Sequence, residues 1–99
     1  MKISVEIISW LKDDFNHKSS ERLVLEENVG PGTTIMDLLH VIAEKYPKFG
    51  QKAFGGAAQA LFEYCIVILN GTFLSAPAEL NTPLKEGDAI KFSPAFYGG

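Results

Sequence analysis

The sequence has few of the residues that mark several large classes of protein. A single cysteine, Cys65, excludes an internal disulfide, and a metal site built from thiolates needs more cysteines. No run approaches the roughly 18 apolar residues of a transmembrane helix. The first residues alternate polar and apolar, which is not typical of a signal peptide. We therefore expect no membrane partner and a reducing compartment, most simply the cytoplasm.

Positive charge is also scarce, because nine basic residues stand against twelve acidic ones. A nucleic-acid binder needs a basic face to neutralise phosphates, so this balance argues against a nucleic-acid partner. The 99 residues suffice for one domain and leave no room for a second. With 46% hydrophobic and 21% charged residues, the composition is typical of a globular domain and too apolar for disorder.

Alternation of polar and apolar residues predicts strands. Ile3, Val5 and Ile7 have the period of two expected where one sheet face is buried. Asn70-Gly71 is a strong hairpin signal at the end of an apolar, β-branched run. The predicted strands cover residues 3–7, 21–29, 64–69 and 89–93, and the polar segment 12–20 is predicted to be a loop.

One segment has helical periodicity. Thr34 is a plausible N-cap because Asp37 follows three residues later, and Pro47 should end the helix because it has no N–H. Residues 49–63 are interpreted as an irregular crossover with a short helix. The apolar positions recur at helical spacing and should face the sheet: Ile35, Leu38, Leu39, Ile42, Ala43 and Tyr46.

The order of elements predicts an α+β domain, with one main helix across one face of a small mixed sheet. We assign residues 1–94 to this domain. Pro94 should end the ladder of the last strand. Residues 95–99, which end in Gly98-Gly99, should form a flexible tail.

The body of the domain shows little catalytic chemistry. His17 and His40 are interpreted as surface residues, and they lack the spacing of paired metal ligands. Cys65 lies in an apolar strand, where a thiol is inert. Asp13-Asp14 and Glu26-Glu27 are expected to be solvated. We therefore predict no metal site and no bound cofactor.

The two final glycines are the unusual feature. At ordinary glycine usage such an end arises by chance roughly 0.5% of the time, although frayed ends also tolerate glycine. Gly98 and Gly99 have no Cβ, so they can pass through a narrow slot and approach a nucleotide closely. A terminal carboxylate is ionised at neutral pH and can attack the α-phosphate of ATP on a partner enzyme.

Several short motifs together resemble those of the ubiquitin-like sulfur carriers. They are Leu69-Asn70-Gly71, the segment 82–88 (TPLKEGD), Pro94 after a short apolar strand, and the terminal Gly98-Gly99. The pattern is similar to that of the small subunit of molybdopterin synthase and of the carrier in the thiamine pathway. This resemblance implies the β-grasp fold, which has the order of elements predicted above.

The resemblance also implies a mechanism. In these carriers an ATP-dependent activating enzyme adenylates the last glycine, here Gly99, and the product becomes a thiocarboxylate. The tail then enters a second enzyme, such as the large subunit of molybdopterin synthase, and donates sulfur. Gly98 would give clearance beside the reacting carbon, and Pro94 would stiffen the exit of the tail. The carrier is a cosubstrate or subunit that binds no cofactor, and its partner uses the ATP.

Small synthase subunits tend to carry Pro-Pro, Val and a small residue before the glycines, where this chain has Pro94, Ala95, Phe96 and Tyr97. Tyr97 is bulky where the pattern is small, so the channel of the partner must be wider or the partner different. The extra length around 12–20 and 49–63 favours the molybdopterin type or a modifier over the compact thiamine type. The alternatives are a ubiquitin-like modifier conjugated through Gly99, a sulfur carrier for thiamine, tRNA or cysteine synthesis, and a plain interaction domain.

Partner binding also needs a docking surface. Together with Pro94, Phe96 and Tyr97, an apolar patch on the sheet face away from the helix is predicted to contact the activating enzyme or the acceptor. The crossover could instead cover this patch. Val67→Asp should then weaken partner binding and leave the domain folded. The predicted patch consists of Ile8, Trp10, Val24, Val67 and Leu69.

Overall fold

A computed structural model describes residues 1–17, 22–55, 61 and 64–94. Within these ranges five strands form one sheet in the order β2-β1-β5-β3-β4. The strands are β1 (Lys2–Ile7), β2 (Leu23–Asn28), β3 (Cys65–Leu69), β4 (Thr72–Leu74) and β5 (Ala89–Pro94). The helices are α1 (Ile35–Lys45) and α2 (Pro47–Phe54), with 3₁₀ helices at Ser9–Phe15 and Pro77–Asn81.

The centre of the sheet is mixed. β1 pairs antiparallel with β2 and parallel with β5, and Val5 lies opposite Ile90 in the parallel pair. Ile3, Val5 and Ile7 are buried on one face, which confirms the alternation predicted for this strand. The sheet buries that face under the helices, as the α+β prediction requires.

α1 begins at a capping box. The Asp37 N–H donates to Thr34 Oγ1 at 3.1 Å, and the Thr34 N–H donates to Asp37 Oδ2 at 3.0 Å. These bonds hold the pKa of the Asp37 carboxyl below its ordinary value, the backbone bond being the larger cause. The predicted cap is therefore confirmed, and four predicted stripe residues are buried in the core: Ile35, Leu38, Leu39 and Ile42.

The predicted loop over 12–20 is wrong in its first part. Residues Ser9–Phe15 form a 3₁₀ helix that ends at Asn16, whose φ is 59°. Leu11 and Phe15 are buried, four residues apart, and they fix this helix against the core. Because polar residues lie between Leu11 and Phe15, the composition of this segment predicts a loop. Residues 18–21 lie outside the described ranges.

Other expectations need correction along the second half of the chain. Pro47 does end α1, but it also occupies the first turn of α2, where a missing N–H costs nothing. α2 replaces the predicted irregular start of the crossover, and Phe49 anchors it in the core. Residues 56–60 and 62–63 of the crossover lie outside the described ranges. The three-residue strand β4 was not predicted.

Candidate functional site

The base of the C-terminal tail is part of the sheet. Pro94 is the last residue of β5, is buried, and lies opposite Cys65 of β3. The predicted strand over 89–93 is therefore one residue too short. A proline fits the last position of a strand because it cannot donate a ladder bond. A contact of Pro94 with a partner stays a prediction.

The residues expected to carry the chemistry lie beyond this point. The predicted tail, 95–99, is outside the described residues, and with it Phe96, Tyr97, Gly98 and Gly99. Their roles stay predictions.

β5 is held firmly just before it ends. The Ile8 N–H donates to the Phe92 carbonyl at 2.9 Å, which extends the parallel pairing past β1. The Phe92 ring is fully buried and stacks on Phe49 of α2, with centroids 5.5 Å apart and planes at 22°. Aromatic pairs at this distance add to the free energy of burial. The tail therefore starts from a fixed position on the domain.

A buried carboxylate lies near the same end of the sheet. Asp14 is only 7% exposed, and its Oδ atoms accept hydrogen bonds from Lys52 Nζ at 3.0 and 3.1 Å. The Tyr64 hydroxyl donates to Asp14 Oδ2 at 2.6 Å. Burial, with a smaller contribution from this bond, raises the pKa of Tyr64 above its ordinary value. The expectation that Asp14 is solvated is wrong, because sequence gives no sign of a lysine 38 residues away.

In the second acidic pair, Glu26-Glu27, one carboxylate is also buried and bound by a lysine. Glu27 is 7% exposed and accepts a 2.7 Å hydrogen bond from Lys45 Nζ, which raises the pKa of Lys45. Glu26 is exposed, as predicted. Each buried carboxylate is thus paired with a lysine, an arrangement typical of structural ion pairs. We assign Asp14 and Glu27 to the architecture of the domain.

Cys65 and the two histidines have different surroundings. Cys65 is fully buried, which confirms its predicted burial, and burial raises the pKa of its thiol to about 12. Its inert role stays a prediction. His40 is exposed and stacks on Phe54 at 4.5 Å. His17 is half-buried, and its Nε2 is buried without a hydrogen-bond partner among the described residues, so its predicted exposure is wrong. Those residues include no cluster of three metal-ligating side chains.

The motifs that carry the family resemblance meet in space. The Asn70 side chain donates to Asp88 Oδ1 at 3.0 Å and accepts from the Ala89 N–H at 2.9 Å. Asp88 Oδ2 accepts from the Lys85 N–H at 2.8 Å. Gly71 has a φ of +85°, a backbone conformation that a residue with a side chain adopts only under strain. Asn70 itself has a φ of 48° and closes the predicted hairpin.

This Asn70–Asp88 junction lies at the start of β5, whereas the tail leaves from its other end. Six strand residues separate the two, and at about 3.3 Å per residue they span roughly 17 Å. The motif residues therefore set the two turns and the start of β5. Pro94, the last described residue, lies at the other end of β5 from them.

The exposed apolar surface of the sheet differs from the predicted patch. Val67 is fully buried on the helix side, so its predicted place on the exposed face is wrong. Leu69 is half-buried and packs against the core, and Val24 is 43% exposed at the far edge. Every residue of 65–69 is apolar, so the sequence does not reveal which alternate side chains of this strand face the core. The side chain of Trp10 lies outside the described part, and Ile8 is half-buried.

The outward residues of β3 are Ile66 and Ile68, which alternate with the buried Cys65 and Val67. Phe73 of β4 lies directly opposite Ile68 and is 65% exposed. The apolar surface is therefore at the β3–β4 edge, and the opposite end of this sheet face carries the Arg22–Glu6 ion pair at 3.0 Å.

Across the described ranges, every helix is too short or too polar to cross a membrane.

Comparison with known proteins gives one sequence family and several solved structures. The sequence model of the ThiS family matches residues 14–99. A comparison with curated protein sequences found no match. The described fold is that of the ubiquitin-like β-grasp proteins found among the structural neighbours.

Three of these structures represent three different proteins of similar fold. SAMP1 from Haloferax volcanii is 16% identical with a TM-score of 0.72, and the match covers 100% of both chains. A putative molybdopterin converting factor subunit 1 from Pyrococcus furiosus is 20% identical with a TM-score of 0.70, over 97% of this chain and 99% of that chain. Molybdopterin-converting factor from Helicobacter pylori, a complex of subunits 1 and 2, matches at 26% identity and a TM-score of 0.56 over 100% of both chains.

Proposed function

Because the chain belongs to the ThiS family of ubiquitin-like carriers, we propose that it is a sulfur carrier that acts through the carboxylate of Gly99. One observation carries this proposal: β5 is fixed in the sheet as far as Pro94, and Gly98-Gly99 come four and five residues later in the sequence. Five residues span at most roughly 17 Å when extended. Such a segment can reach into a partner's active site while the domain stays outside it.

The chemistry then belongs to the partners. An oxygen of the Gly99 carboxylate attacks the α-phosphate of ATP on the activating enzyme, and pyrophosphate leaves. Sulfide, delivered by a partner, then attacks the acyl carbon of the adenylate and displaces AMP, which leaves a thiocarboxylate on Gly99. The described residues support this division of labour, since Cys65 is buried and both buried carboxylates are held by lysines.

For the acceptor we propose a molybdopterin synthase, with this chain as its small subunit. The likeness to subunit 1 in the Helicobacter pylori complex supports this choice, because that structure pairs subunit 1 with subunit 2. α2 supports it as well, since it accounts for part of the length by which this chain exceeds the compact thiamine-type carriers.

A second candidate is a ubiquitin-like modifier, in which a lysine amine attacks the activated Gly99 and forms an isopeptide bond. The specific observation in its favour is the likeness to SAMP1, the small archaeal modifier protein 1, over the full length of this chain. Thiamine, tRNA and cysteine synthesis are further destinations of the same thiocarboxylate.

The test is the intact mass of the full chain after incubation with ATP, a sulfide source and the activating enzyme of the same organism. We expect the mass increase of one oxygen replaced by sulfur. Two controls are a chain lacking Gly99 and a chain extended by one residue, and both should fail to react. Both should also keep the thermal midpoint of the parent, because the last few residues of a domain ordinarily contribute little to folding. A reaction that proceeds without Gly99 would overturn the proposal.

Two further experiments distinguish molybdopterin synthesis from protein modification. Thiocarboxylated carrier mixed with a subunit 2 and the sulfur-free pterin precursor should yield the dithiolene product if the chain serves molybdopterin synthesis. Conjugates of higher mass in extract of the source organism, dependent on ATP and on Gly99, would favour the modifier.

A further inference from the structure

The two edges of the sheet are protected to different degrees. β4 forms one edge and is only three residues long. The N–H groups of Ser75 and Ala76, which follow it, both donate to Glu79 Oε1 at 2.9 Å, and Pro77 comes next. Short strands and proline are devices that keep an edge from pairing with another chain. The β4 edge is therefore poorly suited to take up a further strand.

β2 forms the other edge and has neither device. It is six residues long, from Leu23 to Asn28, it contains no proline, and each of its residues has a partner in β1. No strand among the described residues continues the sheet beyond β2. At about 3.3 Å per residue, β2 offers a regular edge of roughly 20 Å.

Backbone groups alternate in direction along β2. The Val29 N–H donates to the Met1 carbonyl at 2.9 Å, and the Met1 amine donates to the Val29 carbonyl at 2.6 Å. In an antiparallel ladder, a pair that exchanges two hydrogen bonds alternates with a pair that exchanges none. The N–H and C=O groups of every second residue of β2 therefore point away from β1. These outward residues are Val24, Glu26 and Asn28.

On the face toward the helices, apolar side chains lie beside this edge. Leu23 and Leu25 are half-buried there and pack against the core. Val41 of α1 is 38% exposed and precedes Lys45 by one helical turn. Lys45 Nζ donates to Glu27 Oε1 of β2 at 2.7 Å, so Val41 is on the side of α1 that is nearest to β2. A strand added to β2 would therefore find apolar contacts on this face.

On the other face, the charge beside this edge is negative. Glu26 is exposed there and has no ion-pair partner among the described residues. Arg22, the base just before β2, is held by Glu6 Oε2 at 3.0 Å. A second copy of the chain would bring a second Glu26 to the same short edge, and each copy has a net charge of −3. Because like charges on paired strands are destabilising, the edge favours a basic occupant over a second copy.

We propose that β2 takes up an extended segment of a partner protein as an added strand, and that apolar and basic residues alternate along this segment. Its backbone pairs with the three outward residues of β2. Its apolar side chains lie beside Leu23 and Leu25, and its lysine or arginine side chains lie beside Glu26 on the opposite face. β1 separates β2 from β5, so the bound segment leaves the base of the tail free. The proposed function is a separate matter, because Gly99 takes no part in this binding.

The test is an NMR titration of the isotope-labelled full chain with a capped peptide of about eight residues in which valine and lysine alternate. One control peptide alternates valine and glutamate, and the other has its valines and lysines in two separate blocks. We expect the amide signals of Val24, Glu26 and Asn28 to shift, with a dissociation constant at least about 10-fold lower than for either control. A preference for the acidic peptide, or shifts confined to β3 and β4, would overturn the proposal.

Two variants separate backbone pairing from charge. Glu26→Pro removes the central N–H of the free edge and no hydrogen bond to β1, so it should weaken binding of the basic peptide about 10-fold or more. Glu26→Gln keeps this N–H and should reduce the preference for the basic over the acidic peptide to about twofold. Parent affinity in Glu26→Pro would contradict strand pairing, and an unchanged preference in Glu26→Gln would contradict the role of charge.

Two further measurements keep the test decisive if Glu26→Pro does not fold. Peptides with N-methyl groups on the valines alone or on the lysines alone should differ in affinity about 10-fold or more, because only one of the two sets of N–H groups faces β2. Equal affinity of the two methylated peptides would exclude strand pairing. Sedimentation equilibrium should show a monomer for the parent chain. A dimer that Glu26→Gln strengthens would indicate that a second copy occupies the edge, and the proposal would then be wrong.

Discussion

The Tyr64 hydroxyl donates a 2.6 Å hydrogen bond to Asp14 Oδ2, although 50 positions separate the two residues. The bond joins the first 3₁₀ helix to the residue that precedes β3. Lys52 of α2 binds the same carboxylate, so three segments of the chain converge on it. A buried carboxylate that loses its donors is costly, and this convergence should therefore be visible in stability.

We expect Asp14→Ala to lower the free energy of unfolding by about 1–3 kcal/mol, because it leaves the Tyr64 hydroxyl without its acceptor. Tyr64→Phe should cost about 1 kcal/mol, and the double variant less than the sum, because both changes remove one bond. Urea unfolding measures all three. Glu6→Ala is the control, since Glu6 pairs with the exposed Arg22 on the surface, and it should have the smallest effect. Strict additivity of Asp14→Ala and Tyr64→Phe would contradict the assignment.

The two valines of the predicted patch should respond in opposite ways to the same substitution. Val67→Asp places a carboxylate in the core and should prevent folding, because the buried charge has no partner. Val24→Asp changes a side chain that is 43% exposed and should leave the domain folded. Far-ultraviolet circular dichroism and thermal unfolding distinguish them. A folded Val67→Asp protein would show that β3 is inverted relative to the described register.

Stability should fall as the pH rises above about 9. Burial raises the pKa of the Cys65 thiol from 9.0 to about 12. The unfolded chain therefore ionises first, and the stabilisation present below pH 9 is lost at about 1.4 kcal/mol per pH unit until the folded thiol titrates. Tyr64, whose pKa is also raised, adds a further loss above pH 10.

The measurement is the urea midpoint from pH 8 to pH 11. Cys65→Ala should flatten the dependence between pH 9 and pH 10, where the thiol alone is responsible. If the parent and Cys65→Ala have the same pH dependence over this range, the assignment to Cys65 is refuted.

The Asn70–Asp88 junction should matter for stability and not for chemistry. Asn70→Ala removes the acceptor of the Ala89 N–H and the donor to Asp88, so we expect a loss of about 1–3 kcal/mol in the free energy of unfolding. The kcat of ATP–pyrophosphate exchange by the activating enzyme, with this chain as its substrate, should stay at the parent value at temperatures below the unfolding transition. Asn81→Ala, an exposed asparagine in the second 3₁₀ helix, is the control for stability. A fall in kcat would place the junction in the reacting site.

Local signals predicted the elements that local contacts determine. The capping box of Thr34 and Asp37 involves residues three apart, and the Asn70-Gly71 hairpin closes within two residues, so both could be identified in the sequence. The first 3₁₀ helix could not be, because it depends on Leu11 and Phe15 reaching a core that distant residues build. The same reason explains Asp14, whose lysine and tyrosine partners come from other segments.

The sequence by itself determined the order of the elements and the terminal Gly98-Gly99, because hydrophobic period and residue type are properties of the chain. Only the tertiary structure decided which face of β3 is buried, since a continuous apolar run offers both faces and the pairing with β5 selects one. It also decided that Cys65 and Ile66 of β3 lie beyond the end of β4, next to Pro94. That proximity depends on where β4 stops, and a hydrogen bond from Ser75 to Glu79 sets it without any trace in the hydrophobic pattern.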